Sequence, residues 1–352
     1  MYSRVAVSST ALSTKGIPLP TANLIHRLLL EQINAHGRLV FACESEIVEL
    51  IRAIKSSEGL PQDARGLWLE TLIRLRSYRR ISVINGGQIP LADVQGLSAL
   101  RAGWGSCTDV AVVAEEVCSL FGIPVDLGIL SDTGLKPDVT TAAAATDCPE
   151  LRRVRTLSEH PIAGHGSRRE EFWRNVLEPL ASEAQTATLL DGYLFKLILE
   201  IATKGRGPNG IRREHISWML NNLDDVMASG AEIRLIGKRG NDSRNADATE
   251  IANAIRRIWN PAPVGRLSSV TVVLSDPIRP ERFPHDRHIR FSSGSAIELS
   301  AGFDRLREET LWDPDGMKWT YQWRAGALTA LQQSEDRAIM YARHSAAVVL
   351  QR

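Results

Sequence analysis

Long apolar runs are the first thing the chain lacks. No stretch of about 18 apolar residues occurs anywhere in its 352 positions, which excludes a membrane-spanning helix on length alone. The opening MYSRVAVSSTALSTKG has no apolar core of the kind a secretory signal needs. Cysteine is scarce: Cys43, Cys107, Cys118 and Cys148 form no C-x-x-C pair, and no histidine stands at finger spacing from them. Neither a structural metal site nor a disulfide framework is therefore expected, and a reducing, cytoplasmic setting is. Excess charge is absent too. A net charge of +1 gives no chain-wide field toward nucleic acid or membrane, so any polyanion must be met by a local patch. No cofactor is expected.

What is present suffices for two α/β domains. Apolar residues make up 43% of the chain and charged residues 24%, an ordinary globular balance, and 352 residues exceed what one core usually holds. Residues 1 to 20, rich in Ser and Thr and ending in Gly-Ile-Pro-Leu-Pro, read as a lead-in. Residues 21 to 132 read as a first α/β domain. Ile47, Leu50, Ile51 and Ile54 recur at helical spacing over 44 to 55, a further helix spans about 61 to 78, and short apolar strands are expected at 38 to 41 and 81 to 84. Asp109 is expected to open a helix running through Val117, followed by a strand over 123 to 129. Residues 133 to 160 begin poor in large apolar groups and read as a linker.

The acids Glu44, Glu46, Asp109 and Asp132 fall at expected strand ends and helix starts. In this the first domain resembles PIN-type nucleases, which gather carboxylates there to hold Mg²⁺. Helix capping by the same acids is the other reading, and Ala42 and Cys43 stand where the first aspartate of that pattern belongs.

Residues 161 to 352 read as a second α/β domain of order β-α-β-α-β-β-β. An amphipathic helix is expected over 168 to 182 and an apolar strand over 186 to 190. That strand delivers Asp191, Tyr193 and Lys196 at its carboxyl end, where α/β sheets carry ligand groups. Lys238, Arg239 and Arg244 come directly after a strand at 233 to 237, and with Arg234, Arg256 and Arg257 they form a candidate basic track for nucleic acid. His160 and His165 read as solvated loop residues. The alternating MKWTYQWR of 317 to 324 reads as a strand with Trp319, Tyr321 and Trp323 on one face, for core or dimer-interface packing in preference to a base-stacking platform, and residues 325 to 352 read as a packed or partner-binding terminal helix.

The densest chemistry lies in FPHDRHIRFSSGSAIELSAGFDRL, residues 283 to 306. Read as an extended strand, it puts the His285 imidazole and the Arg287 guanidinium on one face and His288 and Arg290 on the other. Ser293, Ser295 and Gly302 belong to turns whose hydroxyls and backbone N–H groups can face an anion. HDRHIRF, a small turn, an apolar strand and then GFDRL resemble the phospholipase-D-like domain that comes after the MIT domain in midbody and membrane-trafficking proteins. The resemblance implies an α/β sandwich over residues 161 to 352 and a phosphate site at His285. The superfamily's H-x-K-x-x-x-x-D pattern places Arg287 at the lysine and Ser292 at the aspartate.

The resemblance and the strand-end groups together point to a phosphodiester-binding site, with cleavage through a phosphohistidine on His285 if the site turns over. Arg287 is the other catalytic residue, and Asp191, Lys196, Ser293, Ser295 and Gly302 surround the phosphate. Cleavage through a single motif implies a homodimer, without metal. Lys238, Arg239 and Arg244 would lead nucleic acid in, as in a nuclease-like component of a multi-protein prokaryotic phage-defence system. The alternative is a non-catalytic module for anionic phospholipid head groups or a partner protein.

Overall fold

The computed structural model describes residues 1–57, 59–84, 86–124, 126–132, 134–159, 162–196, 198, 215–239, 247–276, 283–311 and 316–349. The chain is α/β throughout and divides into two compact units, Met1–Glu159 and His160–Arg352.

The first unit is built on a sheet of order β3-β2-β1-β4-β6-β5. Its strands are β1 (Ser3–Val7), β2 (Gly37–Phe41), β3 (Ile81–Val83), β4 (Val110–Val113), β5 (Ile129–Asp132) and β6 (Leu135–Thr141). All neighbours are parallel except β5, which runs against β6. Both faces are covered, as a parallel sheet requires. Val5, Val7, Leu39, Phe41, Val110 and Val112 join one apolar cluster, to which α1 (Leu19–His36), α2 (Glu44–Ser56) and α3 (Gln62–Ser77) contribute Ile33, Leu50 and Trp68. The alternate residues Ala6, Val40, Ala111 and Val113 join a second cluster on the other face. It includes Leu100 and Trp104 of α4 (Leu97–Trp104) and Phe121.

Four expectations fail here. The supposed lead-in supplies β1, the middle strand. The supposed linker supplies β6, whose Val139 and Thr140 are fully buried, and α5 (Pro149–Glu159). Hydroxyl-rich sequence conceals both strands, because a Thr or Ser can sit inside a sheet once its oxygen finds a partner. The helix expected from Asp109 is β4 with a 3₁₀ turn after it at Glu115–Phe121. Asp109 does not cap; at 8% exposure it accepts hydrogen bonds from the Arg4 backbone and guanidinium and from Lys136 Nζ at 2.6 Å. Burial works to raise this carboxyl, and the bonds from Arg4 and Lys136 outweigh it and hold it below the usual carboxylate range. The strand expected at 123 to 129 lies instead at Ile129–Asp132.

The second unit carries an eight-stranded sheet of order β14-β10-β9-β8-β11-β12-β13-β7. Its strands are β7 (Ile162–Ala163), β8 (Thr186–Leu190), β9 (Ala231–Lys238), β10 (Leu267–Ser275), β11 (His288–Phe291), β12 (Ser295–Leu299), β13 (Met317–Gln322) and β14 (Ala342–Val349). The trio β8, β9 and β10 is parallel, and the remaining pairs are antiparallel. The helix expected at 168 to 182 is segmented: α6 (Arg169–Phe172) and α7 (Glu178–Ala181) flank a π-helical turn, Trp173–Leu177. Beyond it come α8 (Ile216–Val226), α9 (Ala248–Ile258) and α10 (Ala325–Met340). A capping box starts α9, Asp247 accepting from the Glu250 N–H while the Glu250 carboxylate accepts from the Asp247 N–H. The expected terminal helix ends at Met340, and the chain returns as β14 along β10. Trp319, as expected, packs in the core, edge-on to Phe172 at 5.1 Å.

Candidate anion site at the end of the second sheet

Strand direction gathers the site. β8 and β9 are parallel, so their carboxyl ends reach the same edge of the sheet. β11 is antiparallel to β8 with His288 opposite Leu190, so Arg287 arrives beside Asp191. The Arg287 Nε lies 3.9 Å from Asp191 Oδ1. Its guanidinium also donates to the Ser300 carbonyl at 3.4 Å and lies 5.5 Å from the Tyr193 ring centroid. The Arg287 side chain remains 28% exposed and Tyr193 is 67% exposed, so both face solvent at this edge. Lys238, the last residue of β9, is half-buried there.

Asp191 does not wait for a ligand. It is buried, Oδ1 accepting from the Tyr193 N–H at 2.9 Å and Oδ2 from the Phe303 N–H at 3.1 Å. The turn expected to cradle a phosphate thus cradles the protein's own carboxylate, and the Gly302 N–H points back to the Leu299 carbonyl. Asp191 and Gly302 are therefore positioning groups, not phosphate ligands. Burial raises the Asp191 carboxyl above its ordinary range, against the pull of the two N–H donors and Arg287. Glycine is required at 302. Its φ is +87°, and a Cβ there would meet Asp191 Oδ2 at 2.8 Å and Arg287 Cδ at 3.2 Å.

The remaining predicted residues separate. His285 precedes β11 instead of lying on it, is exposed, and makes no hydrogen bond among the described residues. The strand-face pairing with Arg287 is thus corrected: no regular strand fixes the imidazole, and no group among the described residues orients it as a nucleophile. Ser293 and Ser295 lie at the opposite end of the strands, next to Thr186 in register, and are buried. The Ser293 hydroxyl donates to the Leu180 carbonyl at 3.0 Å and sits 3.4 Å from the Ser295 hydroxyl, so neither reaches a ligand at Arg287. Ser292, at the same end, accepts from the Gln185 and Thr186 N–H groups. Lys196 is exposed shortly after β8. Arg239 is paired with Asp276 at 2.9 Å. Arg234 lies in the middle of β9 and Arg256 and Arg257 on α9, so the basic run is divided among elements instead of forming one track. Arg244 and His160 lie outside the described residues. Glu44, Glu46, Asp109 and Asp132 of the first unit do not converge; no cluster fit to hold a metal occurs among the described residues. Glu46 is a brace, accepting from the Ala42 and Leu91 N–H groups.

Sequence reasoning missed Glu335. It is 2% exposed on α10 and receives Arg290 bidentately, at 2.8 and 2.5 Å, and the fully buried His288 Nε2 at 3.0 Å. Burial raises this carboxyl, and the bonds from Arg290 and His288 outweigh that and lower it. The signal was present: Leu328, Leu331 and Ala338 form the inward stripe of the helix, and an acid at 335 falls on that stripe, where only a buried cation can satisfy it.

No family model, curated protein or solved structure matches this chain. Among the described residues no helix is long and apolar enough to cross a membrane.

Proposed function

We propose that the second unit binds a phosphodiester chain, single-stranded nucleic acid in the first instance, at the carboxyl end of its parallel strands, and does so without cleaving it. One observation carries this. A half-exposed guanidinium, Arg287, is anchored by Asp191 and the Ser300 carbonyl on one side, and lies against an exposed tyrosine on the other. A planar fork can take a phosphate bidentately while Tyr193 offers a face on which a base stacks. Lys238 and Lys196 add cations at or just beyond the same strand ends. The likeness of the HDRHIRF and GFDRL segments to phospholipase-D-like domains supports a phosphate ligand. Cleavage is disfavoured because His285 has, among the described residues, no orienting partner of the kind a nucleophilic imidazole uses.

Fluorescence anisotropy with a labelled single-stranded oligonucleotide tests the reading. Arg287→Ala is expected to weaken binding about ten- to a hundredfold, equivalent to about 1.4 to 2.8 kcal/mol, and Tyr193→Ala about tenfold. Oligonucleotide incubated with EDTA should stay intact. Tight binding to phosphoinositide vesicles without oligonucleotide binding would replace nucleic acid with lipid head groups as the ligand. EDTA-resistant cleavage lost in His285→Ala would restore the enzymatic reading.

A further inference from the structure

The first unit holds a cavity of its own. In its strand order β1 lies between β2 and β4; the chain winds from β1 to β2 on one side and reaches β4 on the other. The carboxyl ends of β1 and β4 therefore diverge at a switch point, the crevice where open α/β sheets take their ligands. A cavity of about 510 Å³ opens at this place, within the range of small-molecule sites.

Its lining has two characters. Hydroxyls of Ser8, Ser9, Thr10, Ser13, Ser56 and Ser57 form one part. Those of Ser9, Ser13 and Ser57 have no hydrogen-bond partner among the described residues, whereas Ser8 and Thr10 bond each other at 2.8 Å. Leu91, Val94, Val117, Leu120 and Phe121 form an apolar wall, to which Leu120, 52% exposed, brings open surface. Among the described residues the lining contains no lysine, arginine or histidine, and Glu116 is the one charged group. Bringing a phosphate into such a site would set two anions together with no cation to offset them. A neutral ligand with a flat apolar part and a hydroxylated part meets every surface present: the ring lies on the wall, and its hydroxyls bond the serines and donate to Glu116.

We infer that the first unit carries a binding site for an uncharged nucleoside, at the switch point between β1 and β4 and independent of the phosphodiester site of the second unit.

Calorimetric titration of the full chain with the four common ribonucleosides, each beside its 5′-monophosphate, tests this. At least one nucleoside is expected to bind, and its monophosphate about tenfold or more weaker. Two rim substitutions on different walls, Ser56→Trp on α2 and Ala92→Trp, should each reduce nucleoside affinity about tenfold or more. Both positions are exposed, so the fold, checked by circular dichroism, should persist. Tyr193→Ala should leave nucleoside binding unchanged, which separates this site from the stacking face of the second unit. The inference is overturned if no nucleoside binds, if the monophosphate binds as well as the nucleoside, or if binding survives both tryptophans in folded protein.

Discussion

The two sheets place their ligand groups by the same rule and arrive at opposite chemistry. At the carboxyl ends of β1 and β4, the first unit presents hydroxyls, an apolar wall and one carboxylate. At those of β8 and β9, the second presents a guanidinium, a lysine and an exposed tyrosine. Strand order decides where a site lies, and the one or two residues after each strand decide what it takes. Chain-wide composition could not have disclosed this, because a net charge of +1 averages a hydroxyl-lined crevice with a cationic edge.

The largest test concerns which ionic groups of the second unit are braces. Glu335→Ala strips the partner from a buried histidine and Arg290, and should cost about 3 to 5 kcal/mol in denaturant unfolding. If the folded variant instead keeps full stability and loses oligonucleotide affinity, the comparison is broken, for Glu335 would belong to the site.

Acid should distinguish the units next. Burial lowers His26 and His36 of the first unit to about 4, and lowers His215 of the second to about 3, with Arg307 and Arg169 adding to it. In the unfolded chain these rings take a proton near 6.5, and in the native state they do not. Stability is therefore unaffected above about pH 6.5 and falls as pH drops from there, toward 4 for His26 and His36 by on the order of 3 kcal/mol per ring, and toward 3 for His215 by on the order of 5 kcal/mol. His26→Gln should flatten the pH profile of the first unit's unfolding over that window; an unchanged slope refutes the assignment.

Gly302→Ala comes third. With φ at +87° and the Asp191 oxygen 2.8 Å from the new Cβ, about 1 to 2 kcal/mol of stability should be lost. Because Arg287 Cδ is also crowded, oligonucleotide affinity should fall while nucleoside binding holds. The smallest effect sharpens the contrast most cheaply. With two or three cations at the strand edge, log affinity for single-stranded oligonucleotide should fall with log salt at a slope of about −1.4 to −2, whereas nucleoside affinity should not respond to salt.

Periodicity made much of this fold legible. The strand at Thr186–Leu190, the helices at Glu44–Ser56 and Ala248–Ile258 and the hairpin of β11 and β12 carry their own local signals. What escaped is held by distant partners. β1 and β6 are hydroxyl-bearing and are held as strands by neighbours far along the chain, both flanking β4. Asp109 imitates a helix cap but answers Arg4, 105 residues away. In the candidate site, Arg287 and Asp191 could be named from their motif and strand end. That the carboxylate already fills the turn of Gly302 and Phe303 depends on a contact across 112 residues, which no local pattern encodes.

The middle position of β1 bears on how the molecule is made. Residues 3 to 7 leave the ribosome long before their partner strand, so one flank of β1 stays open until residues 110 to 112 arrive to pair with it, and the sheet beyond waits for residue 141. More than a hundred residues of synthesis must pass with an apolar ribbon half-covered. A nascent chain paused before that point should be the form that chaperones hold and proteases cut.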